Sequence, residues 1–226
     1  MTKKKLTLTE RLNIVRAGVL GANDGIIGGA GVILGVTGAT TNSTVIFVAG
    51  LAEMFAVAFS MASGEFVSVS TQKDTERAVV VKAKAALRTN PEQVHQVITA
   101  HYQAKGAGLE LASGVATDLM HSDALGNYVR IKYGFEVNQF LSPIHALWSS
   151  FFASLAGGIW PLLAIILVPQ EWKVVGTIIA TLWALFLTGW LSAWSGKAPK
   201  LPAIARNMLT GIITMAFTYW IGTLLK

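Results

Sequence analysis

Five stretches of this sequence are long and apolar enough to read as membrane-crossing helices: residues 17–38, 44–67, 144–168, 174–194 and 207–225. A helix needs about 20 apolar residues to cross a hydrocarbon core. Composition agrees, with 53% apolar and 13% charged residues among 226, against roughly 25% charged in an ordinary soluble domain. Mean hydropathy is +0.54. A soluble protein this poor in charge would struggle to cover its surface. The expected fold is all-α: a polytopic membrane protein with five transmembrane helices and a small cytoplasmic helical insert.

The division expected along the chain is an amphipathic cytoplasmic helix over 1–16, transmembrane helices one and two over 17–67, the insert over 68–140 and helices three to five over 141–226. Thr7 and Glu10 read as a capping box, and Leu8, Leu12, Val15 and Val19 repeat at helical spacing. The run after Lys3, Lys4 and Lys5 holds Asp24 and shows no small-residue cleavage pattern, so it is expected to be a retained helix and not a signal peptide. In the insert, Asn90-Pro91 predicts a helix start, Gly106-Ala-Gly108 its end, and Ser122 the start of another helix closing near Gly134. Residues 195–206, with Pro199 and Pro202, read as a loop.

The basic residues orient this layout. Of 18 Lys and Arg, all but Lys173 and Lys226 fall before the first span, between spans two and three, or between spans four and five. Lys and Arg concentrate on the cytoplasmic side, so the N-terminus and insert are expected inside and the C-terminus outside. Trp148, Trp172, Trp194 and Trp220 fall near expected span ends, at headgroup depth. This placement explains the net charge of +6 without nucleic acid. The absence of Cys removes disulfides and thiolate metal sites. The glycine-rich run near Asp24 is no dinucleotide fingerprint, because no strand precedes it.

The chemistry lies in the first two spans. Asp24 sits in Gly21-Ala-Asn-Asp-Gly-Ile-Ile, and Glu53 lies within an apolar run. A carboxylate at membrane depth is costly unless paired, hydrated or ligated, and points to function. Nearby glycines at small-xxx-small spacing let helices approach closely. On a helical wheel Glu53 and Met61 stand about 80° apart, and Glu65 follows Met61 by one turn. One broad face therefore offers carboxylate and thioether ligands, with Met54 and Asn23 as secondary candidates. Carboxylates suit hard divalent ions, and a thioether shifts preference toward softer transition metals. Spans three to five contain no acid. The histidines read as solvated side chains: His95 and His101 face apart, and His121 beside Asp123 lacks a clear third ligand.

The two motifs that carry these residues are Gly21-Ala-Asn-Asp-Gly-Ile-Ile and Ser60-Met-Ala-Ser-Gly-Glu-Phe-Val-Ser-Val-Ser-Thr-Gln-Lys-Asp-Thr-Glu76. Together they resemble the vacuolar iron transporter family, over almost the whole chain. The resemblance implies a homodimer that exchanges cytoplasmic Fe²⁺ or Mn²⁺ for protons, with Asp24, Glu53 and Met61 lining the ion path near the dimer interface. The insert departs from the family pattern. Where iron-transporting members are rich in Glu, this chain reads Val79-Val-Val-Lys-Ala-Lys-Ala-Ala-Leu87. Glu92, Met120 and Asp123 are its candidate ligands, beside Glu110 and Asp118, and tight metal binding there is not expected.

The function expected is export of Fe²⁺ or Mn²⁺ from the cytoplasm by proton antiport. The partners are the metal ion, protons, the lipid bilayer and a second copy of the chain; no resident cofactor and no nucleic acid are expected. The location expected is the cell membrane. The alternative is a non-transporting membrane scaffold or sensor that binds metal. An intramembrane enzyme ranks last, because no Ser/His or His/Glu arrangement falls in the spans.

Overall fold

The computed structural model describes residues 8–137 and 139–225, and every regular element among them is helical. In chain order these are α1 (Leu8–Ala39), α2 (Ser43–Thr89), α3 (Pro91–Ala104), α4 (Leu109–Tyr133), α5 (Pro143–Leu167), a 3-10 turn (Gln170–Trp172), α6 (Lys173–Ser195) and α7 (Lys200–Leu224). They form two compact units, one of Met1–Val69 with Ser142–Lys226 and the other of Ser70–Leu141.

In the first unit α1 is one unbroken helix of 32 residues. Thr7, half of the expected capping box, lies outside the described residues, as do Lys3, Lys4, Lys5 and Lys226. Leu12 and Val15 are exposed, so this part of the apolar stripe is not buried against the rest of the protein. Asn42 starts α2 by accepting the backbone N–H groups of Thr44 and Val45 at 3.0 and 3.2 Å, donors that a helix start otherwise leaves without partners.

Glycines let α1 pass close to two neighbours. A Cβ on Gly21 would stand 2.8 Å from Ser154 Oγ and 2.9 Å from Ser150 Oγ, and Gly25 lies directly against the Ser154 carbonyl of α5. On the other flank Gly222 of α7 lies against the Gly35 carbonyl, and a Cβ on Gly38 would come within 2.8 Å of Tyr219 O. Ile26 buries against Ala184 and Leu185 of α6, and Ala30 and Leu34 bury with Met215 of α7. Small residues admit this backbone-to-backbone packing, which lipid-embedded helices use in place of a water-driven core.

Among the described residues, four helical segments are long and apolar enough to cross a membrane: Thr9–Ala39, Ser43–Thr89, Pro143–Leu167 and Gln170–Ser195. The expected fifth span corresponds to α7. Its 25 residues give it the length, but it is not among these four segments, and Asn207, Thr210, Thr214, Thr218 and Thr223 lower its hydropathy. The expected loop over 195–206 is shorter than anticipated, because α7 begins at Lys200. Pro199 occupies its N-cap and Pro202 falls in its first turn, where no helical N–H is lost. Many large apolar side chains point outward, Phe59, Ile179 and Trp194 among them. An apolar exterior of this extent is a lipid-facing surface.

The second unit buries Ala83, Val94, Ile98, Ala116, Tyr128 and Val129 together. Asn90 caps α3 by accepting Gln93 N–H at 3.1 Å, with Pro91 in the first turn. Gly106 and Gly134 follow α3 and α4 with φ of 96° and 79°, left-handed values that only glycine adopts without strain. The break expected at Ser122 falls one residue later. Asp123 has non-helical φ −153° and ψ 80°, and its Oδ1 accepts Gly126 N–H at 2.9 Å. It restarts the helix as an N-cap would.

Candidate functional site

Between α1 and α2 lies an open cavity of about 430 Å³ whose walls include Asp24, Gly28, Glu53, Ser60 and Met61. Two carboxylates and a thioether from the two helices thus face one space. Glu53 packs closely on α1, since a Cβ on Gly28 would stand 3.2 Å from Glu53 Oε1 and 3.3 Å from Val57 Cγ2. The missing side chain at Gly28 makes room for the carboxylate. Asp24 is solvent-accessible and Glu53 and Met61 are half-buried. Such donors can hold a divalent ion while leaving positions open for water or further ligands.

Polar contacts tie α2 to its neighbours on either side of this cavity. On one side Arg16 of α1 donates to Glu65 Oε2 at 3.0 Å, and the Glu65 side chain is only 8% exposed. Toward the start of α1, His145 Nδ1 of α5 lies 3.2 Å from Glu10 Oε1. On the other side Lys173 Nζ donates to Ser43 Oγ at 2.6 Å, Ser43 Oγ donates to Gln170 Oε1 at 3.0 Å, and Gln170 Nε2 donates to Thr41 O at 3.0 Å. Between these along α2, Phe59 meets Phe151 of α5 with ring centroids 5.2 Å apart.

The secondary candidates are placed elsewhere. Glu65 is engaged by Arg16 and does not line the cavity. Met54 is buried with Ile33, Ile46, Leu162 and Ile165, and its Cγ fills the space beside Gly158. Asn23 Oδ1 is buried without a hydrogen-bond partner among the described residues.

In the other unit, Glu92, His95, Thr117, Met120 and His121 surround a cavity of about 340 Å³. His95 Nε2 is 3.0 Å from Thr117 Oγ1. Asp123 is absent from these walls, being occupied as the cap within α4. Among the described residues no three His, Asp or Glu side chains come together closely enough to hold a metal ion. Sequence pattern alone makes His95 and His121 solvated residues, yet both line this cavity with Glu92 and Met120; the spacing of Glu92 and His95, one helical turn apart, is the available signal. Lys132 Nζ donates to Tyr128 OH at 2.8 Å, and that bond holds the ammonium pKa above its ordinary value.

Sequence pattern also passes over Thr214 and Thr218. They stand on α7 facing Gly31 of α1, each with Cγ2 3.5 Å from where a Cβ on Gly31 would be. With Gly28 and Glu53 they line a second cavity of about 650 Å³.

Comparison with known proteins places this geometry in a family. The model of the VIT family matches residues 15–223. A vacuolar iron transporter of Acanthamoeba castellanii is 35% identical over 211 residues, covering 93% of this chain and 78% of the relative. Vacuolar iron transporter homologs 2 and 1 of Arabidopsis thaliana are 30% and 31% identical, covering 96% and 99% of this chain and 87% and 88% of their own lengths. These are transporter relatives and not enzymes, and the similarity spans nearly all of the helices described above. With four strongly apolar helices and a match over nearly its full length, this multi-pass membrane protein belongs to the VIT family.

Proposed function

We propose that this protein carries Fe²⁺ or Mn²⁺ out of the cytoplasm in exchange for protons, through the cavity lined by Asp24, Glu53 and Met61. The observation that carries the reading is the convergence of these three side chains on one space between α1 and α2. Carboxylates bind either a metal ion or a proton, so each proton that arrives weakens the hold on the metal. That competition is the coupling an antiporter requires. Met61 adds a soft ligand that Mg²⁺ and Ca²⁺ do not favour. The relatives named as iron transporters support iron as a cargo.

Five crossings, with the N-terminus in the cytoplasm, belong to this reading. α7 is proposed as the fifth because it packs along α1 at Gly31, Gly35 and Gly38 and along α6 at Gly189. A helix lying beside two crossing helices over that length shares their depth. The protein is proposed to act as a homodimer: one chain supplies three ligand side chains on an open cavity, fewer than a divalent ion commonly takes, and a second copy across it would enclose the ion. The relatives' names carry the word vacuolar, which gives the cell-membrane expectation no support. The proposal therefore fixes only that metal leaves the cytoplasm.

Reconstituted vesicles test the reading. A pH gradient is expected to drive Mn²⁺ or Fe²⁺ movement, and Asp24→Ala to abolish it. Purified protein that binds metal but produces no flux would establish the scaffold or sensor instead.

A further inference from the structure

The helices of the first unit meet in two different ways. α1 touches α5 backbone to backbone, with Gly25 against the Ser154 carbonyl and Gly157 against the Ala22 carbonyl. It touches α7 in the same manner at Gly35 and Gly222, and a Cβ on Gly189 of α6 would stand 2.8 Å from Ile204 Cα of α7. Such contacts leave no side chain to rearrange, so one helix cannot slide past the other without a clash.

α2 packs on its neighbours through side-chain ends. A Cβ on Gly28 of α1 would meet Glu53 Oε1 and Val57 Cγ2, at 3.2 and 3.3 Å. One on Gly50 of α2 would meet Ile33 Cγ1 at 2.7 Å and Leu162 Cδ1 at 3.2 Å, and one on Gly158 of α5 would meet Met54 Cγ at 2.8 Å. Nothing stands within 4 Å of a Cβ on Gly64. The polar ties of α2 are side chains as well, Arg16 to Glu65 and Lys173 to Ser43. Side chains change rotamer far faster than helices move, and methionine adapts most readily. Sliding between packed helices proceeds through adjustments of this kind.

We propose that α2 is the moving helix of the transporter and slides on a body formed by α1, α5, α6 and α7. This rests on the transport reading above and names its moving part. Asp24 belongs to the body, whereas Glu53 and Met61 ride on α2. A shift of α2 therefore changes the distance between the Asp24 carboxylate and the other two ligands. The ion site is assembled in one position of α2 and opened in another.

The absence of cysteine permits a test by disulfide locks, which form where Cβ atoms lie about 3.5–4.5 Å apart. A Cβ on Gly158 would stand 3.4 Å from Met54 Cβ, and one on Gly18 would stand 3.9 Å from Ala153 Cβ. Gly158→Cys with Met54→Cys thus joins α5 to α2, and Gly18→Cys with Ala153→Cys joins α1 to α5 within the body. Each pair is reconstituted in vesicles, and Mn²⁺ flux is measured reduced, oxidised and reduced again, with bridging confirmed by mass spectrometry. The α5–α2 bridge is expected to stop flux and reduction to restore it, while the α1–α5 bridge leaves flux as it was. Gly50→Cys with Ile33→Cys, joining α2 to α1, replaces the first pair if that pair fails to bridge or carries no Mn²⁺ while reduced. Undiminished flux with α2 fully bridged to the body overturns the proposal, as does loss of flux on bridging α1 to α5. If the parent protein carries Mn²⁺ in that case, only the moving helix is misassigned; if the parent carries none, the transport reading falls and takes this one with it.

Discussion

A thioether and a carboxylate make different demands on an ion, and the cavity between α1 and α2 presents both. Met61→Leu separates them, because the swap nearly conserves volume and should cost less than about 1.5 kcal/mol. The variant should fold and still carry Mn²⁺ or Fe²⁺, but excess Mg²⁺ or Ca²⁺ should now inhibit flux. Competition measurements in vesicles read this directly, and unchanged discrimination would remove Met61 from the ligand set. Asp24 and Glu53 are legible in the sequence because an acid within an apolar run is too costly to keep without water, a partner or a ligand. Met54 is not separable from Met61 by pattern, since seven residues place the two only about 20° apart on a helix. Their difference comes from α5: Gly158 leaves a space that Met54 fills, while Met61 faces the cavity. Glu65 is equally opaque, because its partner Arg16 lies 49 residues away on another helix. Arg16→Ala should strand a buried carboxylate and lower stability by about 1–3 kcal/mol, measured as earlier thermal unfolding in detergent. An unchanged transition would mean that water replaces the guanidinium without loss.

Helix boundaries are legible wherever the deciding chemistry is local. Asn90-Pro91 carries its own cap, and Gly106 and Gly134 carry the backbone freedom their turns use. Where a boundary depends on which of two neighbours takes the capping role, pattern alone falls short, as with Ser122 and Asp123. The start of α7 is hidden because its prolines read as loop residues, although the first turn of a helix accommodates them. Asp123 has a structural role that competes with its candidacy as a metal ligand. Asp123→Ala should cost about 0.5–2 kcal/mol through the lost cap, and Asp123→Ser should restore most of it. Neither should reduce metal flux as Glu53→Gln is expected to. Thermal unfolding and vesicle flux measured on the same three variants check the pairing, and a flux loss in Asp123→Ser with unchanged stability would return Asp123 to the metal chemistry.

On the scale of the whole molecule, the number of crossings decides which way the cavities open. Hydropathy marks four helices as crossings, and four would return the C-terminus to the side of the N-terminus. The basic residues argue for five. Lys197, Lys200 and Arg206 flank the start of α7, and no acid or base follows within it, so its first turns belong on the inner side and its end on the outer. The threonines that lower its hydropathy also bear on the choice. The hydroxyls of Thr210 and Thr218 donate to carbonyls of their own helix, which reduces their cost in lipid. Thr214 and Thr218 moreover face α1 and a cavity, so lipid need not meet them at all. A short epitope after residue 226 should therefore be reached by antibody in intact cells or organelles only from the face opposite the cytoplasm, and an epitope inserted after Gly106 only from the cytoplasmic face. If both epitopes appear on the same face, α7 does not cross. The second cavity would then lose its outer wall.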